Sequence, residues 1–144
     1  MQTDVLVIGG GPAGLAAAIA ARCKGFDVTV IDAARPPIDK ACGEGLLPAG
    51  VAVLRRIGVE LSGEEVFPFR GIRFLDSGTS VDAGFQFGPG LALRRTRLHQ
   101  ILADRATELG VRLLWGTRVT DASQLPSCRW MVGADGQNST VRHA

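Results

Sequence analysis

Val5-Leu6-Val7-Ile8 runs without a break into Gly9-Gly10-Gly11-Pro12-Ala13-Gly14, and this junction limits the fold more than any other feature. A short, continuous β-branched run suits a strand buried on both faces of a parallel sheet. Leu15 to Lys24 is Ala-rich and predicts a helix, with Gly25 at its C′ position. Val28 to Ile31 predicts a second strand, closed by Asp32. The whole is a βαβ unit of about 30 residues with G-x-G-x-x-G at its first turn. Gly9 allows the tight turn off the strand, Gly11 lets backbone approach a pyrophosphate, and Gly14 lets the helix pack close to the strand. The helix N-terminus offers N–H groups and partial positive charge to phosphate oxygens. Asp32 stands where an acid accepts hydrogen bonds from an adenosine ribose, and its charge disfavours a 2′-phosphate. The expected ligand at this first site is FAD or NAD rather than NADP. The candidate contacts are Gly9, Gly11, Pro12, Ala13, Gly14 and Asp32, with Ala33 and Arg35 just downstream. The competing reading is a Gly-rich turn in another α/β fold; the strand before the motif, the helix after it and the spacing of the acid together favour dinucleotide binding over it.

The 144 residues are enough for one domain with its own core. A net charge of +2 gives no case for nucleic acid as the main partner. Three cysteines, at 23, 42 and 128, form no C-x-x-C, which argues against a disulfide framework or a zinc site and for a reducing cytoplasm. Ala13–Ala21 is apolar, but Asp4 and the preceding glycines do not fit a secretory leader. No stretch reaches the roughly 20 apolar residues of a membrane span, so membrane association is not indicated.

Trp130 to Ala134 predicts a strand, buried within the sheet, leading into Asp135-Gly136-Gln137-Asn138-Ser139-Thr140-Val141-Arg142. Asp-Gly there reads as a turn, and Ser139 with Arg142 as the start of another helix. This G-A-D-G-x-x-S-x-V-R, following an N-terminal G-x-G-x-x-G, resembles the FAD-dependent oxidoreductases of the aromatic-hydroxylase and geranylgeranyl-reductase superfamily (group A flavoprotein monooxygenases). The resemblance implies a Rossmann-like α/β domain: a parallel sheet with flanking helices and an inserted β-sheet segment. It implies FAD as cofactor, with Asp135 and Gly136 near its pyrophosphate, and NAD(P)H as electron donor. Cys42-Gly43-Glu44-Gly45 resembles a loop of the reductase branch, which would place Cys42 and Gly43 beside the flavin ring and ribityl chain. With no second cysteine nearby, Cys42 reads as a small packed residue rather than a redox thiol. Glu44 reads either as a proton donor or as a loop carboxylate. Arg95, Leu98 and Leu102 match the family's R-x-x-L-x-x-x-L, with Arg95 reaching toward FAD; the other reading of Arg94, Arg95 and Arg97 is a solvated cluster. His99 reads as a surface or helix-face residue rather than a catalyst. The backbone near Val119 would meet the adenine.

Pro48 marks a helix start, with the helix over Ala49–Ile57, and Leu98 to Leu109 carries helical periodicity ended by Gly110. Phe69–Leu75 and Thr79–Ala83 form a predicted hairpin across Asp76-Ser77-Gly78. Residues about 62–92 are the expected substrate-side insertion. Phe67, Phe69, Phe74, Phe85 and Phe87 are either a pocket lining or, by preference, the inner face of that sheet. Val111–Trp115 and Thr117–Val119 are the remaining expected strands. No catalytic base, nucleophile or metal ligand set stands out. The expected function is an FAD-binding oxidoreductase, reductase-like or monooxygenase-like, acting on an apolar or aromatic small molecule. Its rivals are an NAD-binding module and a non-catalytic dinucleotide-binding domain. The family's members run to several hundred residues, so the expectation is the N-terminal portion of such a protein, an incomplete domain with weak flavin retention.

Overall fold

The computed structural model describes residues 2–119, 125–139 and 141–143. In chain order its elements are β1 (Gln2–Ile8), α1 (Pro12–Cys23), β2 (Val28–Asp32), β3 (Gly45–Leu46) and α2 (Pro48–Arg56). β4 (Phe67–Phe69), β5 (Gly71–Asp76), β6 (Thr79–Gly84) and β7 (Gly90–Ala92) follow. Then come α3 (Arg95–Glu108), β8 (Arg112–Trp115), β9 (Ser127–Gly133) and a 3-10 turn at Val141–His143. Two compact units result, Met1–Asp39 with Thr96–Ala144, and Lys40–Arg95.

The first unit is built on a parallel sheet of order β8-β2-β1-β9. Leu6 and Val7 of β1 and Val28 and Val30 of β2 are almost wholly buried, which is why both strands are continuous apolar runs. Leu6, Ile8 and Ile31 form a core cluster against which Leu114, Val119, Leu125, Cys128 and Val141 pack. Helix α1 starts with Pro12 in its first turn and buries Gly14, Leu15, Ala18 and Ile19, one face at helical spacing. It ends as expected: Lys24 and Gly25 donate back to Ala21 and Arg22, and Gly25 takes φ +89°.

Two expectations for this unit fail. Thr117–Val119 is not a strand: Gly116 turns at φ +72°, and the N–H groups of Gly116 and Thr117 donate to Ala34 and Asp32 carbonyls. Strand β9 is not buried; it lies at the end of the sheet order, with Trp130 and Met131 exposed. The segment after Asp135 contains a 3-10 turn at Val141–His143, where a helix start was expected.

The second unit holds two antiparallel sheets, β3-β7-β4 and β5-β6, together with α2. The β5-β6 hairpin closes over Ser77-Gly78, where Gly78 takes φ +87°. Both of its faces are exposed, so the expected inner face of phenylalanines is absent: Phe67 and Phe74 point to solvent, while Phe69 and Phe85 meet edge to face at 5.4 Å. Phe85 and Phe87 instead line an apolar cavity of about 490 Å³ with Leu47, Pro48, Ala49 and Ala52. None of the helices among the described residues is long and apolar enough to cross a membrane.

Candidate functional site

The turn between β1 and α1 is held by backbone on both sides. Gly9 takes φ +109° and donates its N–H to Ile31 at 2.8 Å. A side chain at Gly9 would strike the Ala134 carbonyl and crowd the Asp135 N–H, so the G-x-G loop and the D-G turn lie in backbone contact. Gly14 has equally little room, facing the Gly9 carbonyl with Ala134 behind it. The structure thus brings Gly9, Gly14, Ala134 and the Asp135 backbone together at the ends of β1 and β9, where Ala134 donates to Ile8 at 2.7 Å; Gly136 follows in the same turn.

Asp32 closes the same loop from β2. One carboxylate oxygen accepts the Gly10 N–H at 2.7 Å and the other accepts the Ala34 N–H at 2.7 Å. A carboxylate has about four acceptor positions, so these two bonds leave lone pairs for hydroxyl donors. Gly10 is covered by the Trp115 ring, which occupies the space a side chain there would need. The first intrahelical bond of α1 runs from Leu15 N–H to the Gly11 carbonyl at 2.9 Å. The N–H groups of Gly11, Ala13 and Gly14 precede it and have no carbonyl partner within the helix, and Pro12 has no N–H. Anion-seeking donors at a helix N-terminus, in a glycine cradle too tight for side chains, fit a diphosphate.

The Asp135 turn ties itself together. Ser139 Oγ donates to one Asp135 oxygen at 2.6 Å, the Val141 N–H to the other at 3.3 Å, and the Arg142 N–H donates to Ser139 Oγ at 3.1 Å. Gly136 takes φ +89° with open space around it. Arg35 lays its guanidinium against Gly116, and Val119 is half-buried against the Leu6 cluster. Ala33 is exposed.

Cys42, Gly43 and Arg95 belong to the second unit. There Glu44 joins them: its N–H donates to Cys42 Sγ at 3.4 Å, its carbonyl accepts the Leu93 N–H at 3.0 Å, and its carboxylate accepts the Arg95 N–H at 3.2 Å. Glu44 holds φ +53°, a left-handed conformation uncommon outside glycine. This geometry favours the loop-carboxylate reading over the proton donor, because the carboxylate is engaged by the Arg95 N–H within its own unit. Arg95 is not a plain solvated residue, since its Nε is buried and meets no acceptor among the described residues.

Of the two readings of His99, surface or helix face, the structure shows the helix face, turned inward. Its side chain is fully buried, with Nε2 2.9 Å from the Gly10 carbonyl. The signal was present: His99, Leu102, Ala103 and Ala106 share one helical face, all buried.

The family profile described as FAD binding domain matches residues 2–144. The chain belongs to the FAD-binding domain family. FAD is therefore the dinucleotide of this fold, and the rival NAD-only module is set aside. A menaquinone reductase of Mycolicibacterium smegmatis is 35% identical over 160 aligned positions, covering 97% of this chain and 39% of that protein. The structure of the anhydrotetracycline hydroxylase OxyS from Streptomyces rimosus is 28% identical with TM-score 0.78, covering 99% of this chain and 33% of that one. PqsL of Pseudomonas aeruginosa, described as a probable FAD-dependent monooxygenase, shares the fold at TM-score 0.82 and 22% identity, covering 99% of this chain and 45% of its own. This FAD-binding domain chain spans between a third and just under half the length of these relatives.

Proposed function

We propose that this chain holds the FAD of an NAD(P)H-dependent flavoprotein oxidoreductase acting on an apolar or aromatic small molecule. The observation that carries the reading is the backbone contact between the Gly9 loop and the Asp135 turn beside the unpaired first-turn N–H groups of α1. In this reading Gly11, Ala13 and Gly14 bind the pyrophosphate, with Pro12 shaping the turn. Asp32, Ala33 and Arg35 take the adenosine ribose, and Val119 the adenine. Asp135 and Gly136 flank the pyrophosphate from the second motif. Cys42, Gly43 and Arg95 keep the assignment to the flavin ring and ribityl chain that family resemblance gives them. Bound FAD supplies hydride acceptance and electron transfer; the chain's residues bind, orient and shield it. The stretch 62–92 is read as the substrate-side segment, and the cytoplasm as the compartment.

The reductase branch is favoured over the hydroxylase branch by the C-G-E-G loop and by the menaquinone reductase relative. A quinone-like acceptor fits that branch. Titrating the chain with FAD, followed at the flavin absorbance near ~450 nm, tests the cofactor reading; saturable binding lost in Gly14→Val is expected. In a protein of the relatives' full length, adding NAD(P)H with a quinone, or with oxygen and an aromatic substrate, then separates the branches. Quinone-dependent NAD(P)H oxidation is expected, and substrate-coupled oxygen uptake without it overturns the reductase assignment.

A further inference from the structure

We infer that His99 is a positioning residue of the phosphate loop, acting through the Gly10 carbonyl; the inference rests on the FAD reading of that loop. Gly10 is pinned at both of its polar groups. Its N–H goes to Asp32 at 2.7 Å and its carbonyl oxygen lies 2.9 Å from His99 Nε2. A carbonyl only accepts, so Nε2 carries the proton and donates. Trp115 blocks the loop on the side where a Gly10 side chain would stand, and its ring lies 5.7 Å from the imidazole.

The consequence follows from peptide geometry. The Gly10–Gly11 peptide is trans and planar, so its N–H points away from its carbonyl. Drawing the Gly10 carbonyl toward the buried imidazole turns the Gly11 N–H the opposite way. Gly11 is the first of the open N–H donors at the helix N-terminus, the kind of group that binds phosphate oxygens. His99 therefore sets the direction of this donor without touching the ligand. Its other ring nitrogen, Nδ1, is buried with no partner among the described residues. Burial of an unpartnered nitrogen is costly, so stability alone does not account for a histidine here; an aliphatic residue would fill the space without that cost.

The test compares the wild-type chain with His99→Gln, His99→Asn and His99→Leu, using FAD and ADP as probes. Glutamine places an amide N–H near the Nε2 position, whereas asparagine reaches only about as far as Nδ1. His99→Asn and His99→Leu are expected to weaken both probes about tenfold, the usual scale of one aligned hydrogen bond. His99→Gln is expected to stay within about threefold of wild type. Unchanged binding in His99→Asn, or no rescue by His99→Gln in a chain with wild-type circular dichroism, overturns the inference. Nitrogen-15 NMR of the wild type gives a reading independent of any variant's folding: a ring protonated at Nε2 is expected, and protonation at Nδ1 alone overturns the role. A wild type that binds neither FAD nor ADP overturns the cofactor reading itself, an outcome distinct from binding that ignores His99.

Discussion

Gly14 shows how little tolerance the phosphate loop has at the level of one residue. A β-carbon there would run into the Gly9 carbonyl, which is backbone and cannot swing aside. Gly14→Ala is expected to cost about 1–3 kcal/mol, the usual penalty of overpacking, read as a lower urea midpoint; an unchanged midpoint would contradict this packing. Asp32 was legible as an acid at the end of β2, but not as a staple. Its two oxygens each take one backbone N–H, from Gly10 and Ala34. Asp32→Asn turns one acceptor into a donor that faces another donor. A loss of about 1–3 kcal/mol is expected from the orphaned N–H, together with weaker FAD binding. Equal stability with weaker binding would assign Asp32 to the ligand alone.

At the level of elements, the sequence located helices better than it located their surroundings. Helix α1 was readable because its start, its apolar spacing and its stop are all local signals. Gly25 sits at φ +89° with nothing near it, so Gly25→Ala tests conformation without a clash. A cost of about 1 kcal/mol is expected, and less for Gly25→Asn, which tolerates the left-handed region. The β5-β6 hairpin was readable from its turn, while the exposure of both its faces was not. Its cross-strand pair, Arg73 and Asp82, is bidentate at 2.6 and 2.9 Å. The Arg73 guanidinium holds the Asp82 carboxyl below its ordinary value of 3.8, and Asp82 raises Arg73. A depressed carboxyl contributes above its unfolded value and loses that contribution as pH falls through the lower folded value. The pair is solvent-exposed, so screening limits it. Asp82→Asn is expected to leave the neutral-pH urea midpoint unchanged; a clear shift would show that the pair supports more than the hairpin's register.

For the whole molecule, both tryptophans report on one unit. Trp115 and Trp130 lie in the unit Met1–Asp39 with Thr96–Ala144, and Lys40–Arg95 contains neither. Tryptophan fluorescence therefore follows the unit that carries the phosphate loop. FAD binding to the folded state is expected to move that transition upward, by about 2.7 kcal/mol at a ligand concentration 100-fold above Kd. A fluorescence transition indifferent to FAD, beside a shifted circular dichroism transition, would place the ligand on the other unit. Trp130 packs edge to face on Phe26 at 5.3 Å and under Arg129 at 4.3 Å, yet stays half in solvent.

The sequence by itself determined the first βαβ unit, its glycine positions, the acid at Asp32 and the presence of a second fingerprint at Asp135. The first three depend on periodicity and turn chemistry within a few dozen residues, which local sequence records, whereas the second fingerprint was read from a family resemblance. The tertiary structure alone decided which distant groups share that turn. His99 reaches Gly10 across 89 positions, and Ala134 closes on Gly9 from the far end of the chain. It also decided that β9 and the hairpin are exposed, although their residues read as core. Burial depends on what the chain brings up to each face, and no local pattern carries that information.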